Sequence, residues 1–256
     1  MEKNIKKGMF FLLVVCLLAG TFASCTTEQP QTPTPTVENT PQPTEEPNMN
    51  VEHSLEGKTF FFLGSSVTYG SASGGKSFVD YIEDNNHCTC IKVAVSGTTL
   101  VDNGADSYVQ RFLKRADRYK DKKIDHFICQ LSTNDASQNL PLGKVSDSRN
   151  KEDFNTKTIV GAMEYIIAVA KETWDCPVAF YTGPYYDSPK YQKMVDALLQ
   201  LQEKWDIGII DFWNDEEARN MDKATYNRYM ADPIHPTAAG YEEWWTPVFE
   251  QYLKTH

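Results

Sequence analysis

Cysteine is scarce in this chain, and its spacing builds neither a disulfide framework nor a metal site. Six occur in 256 residues, at Cys16, Cys25, Cys88, Cys90, Cys129 and Cys176. His87 beside Cys88 and Cys90 is the one near-cluster, and without a second paired cluster it is a poor metal candidate, so no metal or other cofactor is expected. Cys88 and Cys90, two apart on an apparent strand, face the same way, a poor geometry for bonding to each other; buried free thiols are the expectation for Cys88, Cys90, Cys129 and Cys176. Positive charge is also short. Lys and Arg number 25 against 35 Asp and Glu, for a net charge of −10. That balance argues against a surface built to neutralise phosphates and excludes nucleic acid as a partner. The densest basic stretch, Arg111 to Lys123, is interleaved with Asp117 and Asp121 and followed by Asp125, and reads as a solvated helix face. Internal repeats are absent, and no apolar run reaches the roughly 20 residues a bilayer-crossing helix needs.

What is present begins with an export signature. Lys3, Lys6 and Lys7 precede a continuous apolar run from Met9 to Leu18, followed by small residues and Phe22-Ala23-Ser24-Cys25. The run LAGTFASC resembles the lipobox of bacterial lipoproteins, in which the cysteine becomes the lipidated first residue, although Phe22 stands where Leu is usual. That resemblance implies a signal peptide over 1–24, lipidation at Cys25, and an exported cell-envelope lipoprotein held to the membrane by its lipid and facing outside the cytoplasm. From Thr26 to about Asn50 the chain is Thr, Pro, Gln, Glu and Asn with almost nothing to bury, so 25–50 reads as an extended tether. The remainder, 51–256, suits one domain with a full core. No feature specifies an oligomeric state.

Within that domain strand-like and helix-like segments alternate. Strands are predicted at Lys58 to Leu63, Cys90 to Val95, Ile124 to Leu131, Val178 to Tyr181 and Ile207 to Asp211. Helices are predicted at Phe78 to Asp84, Ala105 to Tyr119, Thr158 to Glu172, Lys190 to Trp205 and Thr237 to Leu253. The alternation predicts an α/β fold with a mostly parallel five-stranded sheet covered on both faces. Reacting groups in such a fold gather at the carboxyl ends of the strands.

Four strings fall where apolar runs give way to turn residues: FLGSSVTYG, VAVSGTTL, LSTND and DPIHP. Ser66 follows a buried strand and a glycine, where a tight turn can lift a hydroxyl clear of the sheet; on spacing alone Ser65 competes with it, and either could simply cap a helix. Asp232 and His235, three apart and each followed by a proline, can set a carboxylate and an imidazole on one side of a rigid turn, with the carboxylate accepting the Nδ1 proton and Nε2 left as a base. The backbone N–H of Gly97 and the amide of Asn134 are donors of the kind an ester's developing oxyanion needs.

In order and approximate spacing these strings resemble the four diagnostic blocks of the SGNH hydrolase family, also called GDSL esterases/lipases, over Lys58 to Tyr252. The resemblance implies a three-layer α/β/α sandwich, flavodoxin-like. It implies Ser66 rather than Ser65 as nucleophile, Asp232 and His235 as its partners, and an oxyanion hole from Ser66, Gly97 and Asn134. Two positions depart from the pattern: Ser65 stands where the family usually has Asp, and Ser132 where it usually has Gly, which bears on substrate fit more than on chemistry.

The implied activity is that of a carboxylic ester hydrolase acting by a Ser-His-Asp mechanism. No long apolar insertion follows any block, so no acyl-chain tunnel or lid is expected and a small acyl group such as acetyl is favoured. Tyr181, Tyr185 and Tyr186 flank the end of the fourth strand, where aromatic faces suit sugars; an equal reading makes Tyr181 core and the other two surface packing. O-deacetylation of carbohydrate at the cell surface is therefore the leading expectation. A lysophospholipase or general acyl-ester hydrolase is the enzymatic alternative, and a non-catalytic carbohydrate-binding lipoprotein on the same fold the other; intact Ser66, Asp232 and His235 argue against the last.

Overall fold

The structure, a computed structural model, describes residues 54–256. The predicted signal peptide, Cys25 and the linker lie outside the described residues. Five parallel strands, β1 (Thr59–Gly64), β2 (Thr89–Ala94), β3 (His126–Gln130), β4 (Val178–Tyr181) and β5 (Gly208–Ile210), form one sheet in the order β2-β1-β3-β4-β5. That is the flavodoxin-like order, and chain direction along the sheet reverses between β1 and β3, leaving a crevice at the carboxyl ends of the strands there. All five strands fall within a residue or three of the segments expected from the apolar runs.

β1 shows why the sheet is covered twice. Its side chains alternate between faces, and both faces are apolar. Phe61 and Leu63 enter one core with α3 (Tyr108–Tyr119), α5 (Ile159–Trp174) and α6 (Pro189–Trp205). Phe60 and Phe62 enter the other with α2 (Phe78–Asn86) and α9 (Thr246–Thr255). Each fully buried phenylalanine contributes about 1.5–3 kcal/mol relative to an exposed one, so a run of three in a row commits β1 to the centre of a three-layer sandwich.

Helix ends follow local chemistry. Thr158 caps α5 by accepting from the Gly161 N–H at 3.3 Å, and Ser188 caps α6 in the same way for Tyr191 at 3.2 Å, with Pro189 in the first turn. Asp175 and Asp206 terminate these helices with φ of 47° and 51°, the left-handed region that short polar side chains tolerate. The last helix differs from expectation. Its first turns, Gly240–Trp245, are π-helical before α9 begins at Thr246. Close packing bears on this: a Cβ on Gly240 would come within 2.0 Å of the Tyr229 carbonyl. The short helices α1 (Ser66–Tyr69), α4 (Thr133–Ser137), α7 (Glu216–Arg219) and α8 (Lys223–Tyr229) lie in segments expected to be loops.

One core group ties stability to pH. His126 on β3 is 2% exposed, its ring lies edge-on to Tyr252 at 5.5 Å, and its Nε2 has no hydrogen-bond partner among the described residues. Burial above all, with the positive charges of His256 and Lys58, pushes its pKa down to about 4. In the unfolded chain the imidazole takes its proton near pH 6.5, so between there and about 4 the unfolded state binds more protons and folding stability falls as pH falls. The full loss is about 3 kcal/mol. His126→Phe should flatten this dependence in urea melts across that window; a slope equal to that of the unsubstituted protein would refute the assignment.

Candidate active site

The crevice between β1, β2 and β3 receives three of the four strings directly. Register sets Gly64 opposite Ala94 and Leu63 opposite Cys129, so the strand ends are level and the segments after them emerge together.

Ser66 opens α1 immediately after β1 and is 8% exposed. Its turn is held from beneath by Gln130, the last residue of β3. The Gln130 Oε1 accepts from the Ser65 N–H at 2.8 Å and from the Thr68 hydroxyl at 2.9 Å. Thr68 also shares a 2.6 Å hydrogen bond with the Tyr181 hydroxyl. This crowding explains Gly64, where any Cβ would lie 1.7 Å from Thr68 Oγ1. Ser65 is fully buried with its hydroxyl 3.4 Å from Gln130 Oε1, inside the protein rather than in the crevice.

The fourth string arrives from the far end of the chain. Ser66 Oγ lies 2.8 Å from His235 Nε2, and His235 Nδ1 lies 2.8 Å from Asp232 Oδ2. Asp232 shapes its own turn: Oδ1 accepts the backbone N–H of Ile234 and of His235, each at 2.8 Å. A Met230–Pro236 bridge closes the loop. Partial burial pushes the Asp232 pKa up, but the N–H of Ile234, the His235 imidazole and the His235 N–H outweigh it, and the net position is below the ordinary carboxylate value. Asp232 is then an acceptor only, so Nδ1 carries the imidazole hydrogen and Nε2 is left to accept from the Ser66 hydroxyl. Such a series can take a proton from a hydroxyl as it attacks a carbonyl carbon. Tyr241, in the π-helical turn after this loop, donates its hydroxyl to the Val67 carbonyl at 2.7 Å and so clamps the loop's helix to α1.

Gly97 and Asn134 sit at the ends of β2 and β3. Gly97 is exposed with φ of 79°, and an added Cβ would meet nothing within 4 Å, so backbone conformation and not crowding calls for glycine there. The Asn134 amide donates to the Thr98 carbonyl at 2.9 Å, which fixes its orientation and leaves its second N–H free. Ser132 is buried, caps α4 by accepting from the Asp135 N–H at 3.4 Å, and donates its hydroxyl to the Thr98 carbonyl, also at 3.4 Å.

Two buried polar residues hold this arrangement, and one of them, Arg111, is only 7% exposed, unlike the solvated helix face expected from Arg111 onwards. Asp135 accepts the N–H groups of Leu100 (2.7 Å) and Val101 (3.0 Å), pinning the segment that carries Gly97. Burial pushes its carboxyl pKa up against these hydrogen bonds. Arg111 of α3 donates to the carbonyls of Gly64 and Val93 and to Thr98 Oγ1, at 2.8, 2.7 and 3.0 Å, joining the ends of β1 and β2 to the Gly97 loop.

The model of the GDSL-like Lipase/Acylhydrolase family matches residues 62–243. The chain belongs to that family. As a member of the acylhydrolase family it is an ester hydrolase. No curated protein sequence matches it. Solved structures share the fold at low identity. A protein from Lactobacillus plantarum is 18% identical with a TM-score of 0.61, covering 78% of this chain and 98% of its own. A member of the lipolytic protein G-D-S-L family from Veillonella parvula is 14% identical with a TM-score of 0.51, covering 76% and 96%. A family two carbohydrate esterase from Clostridium thermocellum, in complex with cellohexaose, is 15% identical with a TM-score of 0.54, covering 79% and 65%.

The other sequence candidates fall as follows. Tyr181 is a core residue, Tyr186 is half-buried, and only Tyr185 is exposed, at 48%. The Cys88 and Cys90 sulfurs lie 3.8 Å apart as free thiols, and Cys129 and Cys176 are buried and free. Among the described residues no group of three or more His, Cys, Asp and Glu is placed to hold a metal ion, and no helix is long and apolar enough to cross a membrane.

Proposed function

We propose that this acylhydrolase removes small acyl groups, acetyl first among them, from carbohydrate, with Ser66 as nucleophile, His235 as base and Asp232 as the group that orients it. The observation that carries the proposal is the unbroken series from Ser66 Oγ through His235 to Asp232. Ser66 Oγ attacks the ester carbonyl as Nε2 takes its proton. The N–H groups of Ser66 and Gly97 and the free Asn134 N–H receive the oxyanion. His235 returns the proton to the departing sugar oxygen, leaving acyl-Ser66. Water, deprotonated by the same nitrogen, then releases the carboxylic acid and restores the serine.

The sugar reading is supported by Tyr185, an exposed ring beyond β4 at the same sheet edge as Ser66, held by Trp213 at 4.8 Å and by Arg219 over its face at 4.5 Å. Arg219 covers one face, so the exposed remainder of the ring and its hydroxyl edge are what would meet a sugar. Acetate release from acetylated glycans, with lysophospholipids and longer acyl esters alongside, is the decisive screen. Release from glycans and little from lysophospholipids is expected; the reverse order would replace this reading with a lysophospholipase.

Export and anchoring through Cys25 belong to the same proposal. Palmitate should label the full chain in a bacterial host and not Cys25→Ala, which should appear unanchored; equal labelling of the two would dispose of the anchor.

A further inference from the structure

The stretch from Arg111 to Lys123, which reads in sequence as an ordinary solvated face, divides in the structure into two populations. Lys120 and Lys123 pair with Asp117 (3.3 Å) and Asp125 (2.5 Å). Lys114, Arg115 and Arg118 do not: among the described residues none has a carboxylate within ion-pair distance. With Arg111 they repeat at helical spacing and line one side of a groove of about 500 Å³ whose other wall is β2, the edge strand of the sheet.

The charge of this groove is lopsided. Asp106 is its one acidic lining residue. Lys92 is matched by Asp80 at 2.5 Å, and the Arg111 guanidinium is engaged by backbone carbonyls and Thr98. Three exposed cations therefore remain uncompensated on a chain whose net charge is −10. Cations left unpaired along a concave wall raise the local concentration of anions. Arginine in particular presents a planar fork that fits a carboxylate or phosphate.

Position links the groove to the reaction. It is lined by Ala94 and Val95, and the chain runs from Val95 through Ser96 to Gly97. Arg111 spans both, since it lines the groove and holds the carbonyl of Gly64 just before the Ser65-Ser66 turn. From Arg111 to Arg118 the wall extends about 10 Å along the helix axis, room for a short run of sugar units and too little for an extended polyanion face.

We infer that the groove between α3 and β2 is a binding site for an anionic glycan, a saccharide chain bearing carboxylate or phosphate groups, held by Lys114, Arg115 and Arg118 while an acylated unit of the same chain reaches Ser66. This rests on the carbohydrate reading of the substrate and narrows it to acidic polymers.

The test is a calorimetric titration of the full chain and of Arg115→Gln/Arg118→Gln. The probes are unesterified oligogalacturonate, a phosphorylated cello-oligosaccharide and neutral cellohexaose. Both substitutions are on the exposed face of α3 and outside the catalytic machinery, so p-nitrophenyl acetate hydrolysis should be unchanged and reports that the fold is intact. At low ionic strength at least one acidic probe should bind the unsubstituted protein, and the double variant should bind it about tenfold more weakly. Which acidic probe responds identifies the oxyanion. Binding should weaken as salt shortens the screening length to about 8 Å near 0.15 M. Equal affinity in the two proteins, or absence of binding by both acidic probes, would overturn the inference. Because no probe carries an ester, this titration fails or succeeds independently of the acetate-release screen.

Discussion

Ser66→Ala should lower kcat on p-nitrophenyl acetate by about four to six orders of magnitude, and adding His235→Ala should lower it scarcely further. The two groups act as one unit because each is useless alone: the hydroxyl has no other base at 2.8 Å, and the imidazole has no other nucleophile to activate. Asp232 should separate from them. Its side chain is 49% exposed, so water can replace part of its interaction with Nδ1, and Asp232→Ala should be milder. Asp232→Asn is more informative, since its oxygen can still accept from Ile234 and His235 while its amide faces Nδ1 and favours the wrong tautomer. Ser65→Ala should remain active, because the Ser65 backbone N–H makes the short bond to Gln130 and its hydroxyl only a 3.4 Å one. Circular dichroism on each variant checks folding. An inactive Ser65→Ala beside a working Ser66→Ala would reverse the choice of nucleophile.

Asn134→Ala should cost about 2.7–4 kcal/mol of transition-state stabilisation, a fall of about 10²–10³ in kcat with little change in KM. The amide is oriented before substrate arrives by the 2.9 Å bond to the Thr98 carbonyl, and a donor that need not reorganise is worth most when charge develops. Losing that bond also frees the loop after Gly97, so a modest drop in melting temperature should accompany the kinetic loss. A variant that melts lower yet keeps its kcat would show that Asn134 is a loop fastener and not an oxyanion donor.

The strands and the four strings were legible because they depend on local pattern. β1 announces itself by three consecutive phenylalanines in an apolar run that stops at a glycine, and Asp232 and His235 by each standing directly before a proline. The supports of the site were not legible, because their meaning lies in burial. Gln130 looks like the polar end of a strand, Arg111 like one of several basic residues in a helix, and Asp135 like the acidic neighbour of Asn134. Each becomes informative only when the fold removes it from water and sets it against backbone groups of a distant segment: Gln130 is 65 residues from Ser65, and Asp135 is 35 from Leu100. A buried polar group without a partner is costly, so a buried one with several marks a position where the fold is held to one geometry. Tyr181 was open in the sequence between a substrate-facing ring and core. As an aromatic residue at a strand end it looked available to substrate, but it is core, and its hydroxyl serves Thr68.

The Tyr241–Val67 clamp has a consequence for the order in which the molecule comes into being. Ser66 and His235 are 169 residues apart, and the helix that draws them together is the last element of the chain, docked with Phe249 stacked on Phe78 at 3.9 Å. Synthesis delivers the nucleophile's strand well before the base. A growing chain carries the hydroxyl without the imidazole, and one shortened by a few dozen residues at its end carries it permanently. Hydrolytic competence therefore waits until the segment carrying His235 and Tyr241 closes against α1, and the first strand with its turn cannot supply it alone.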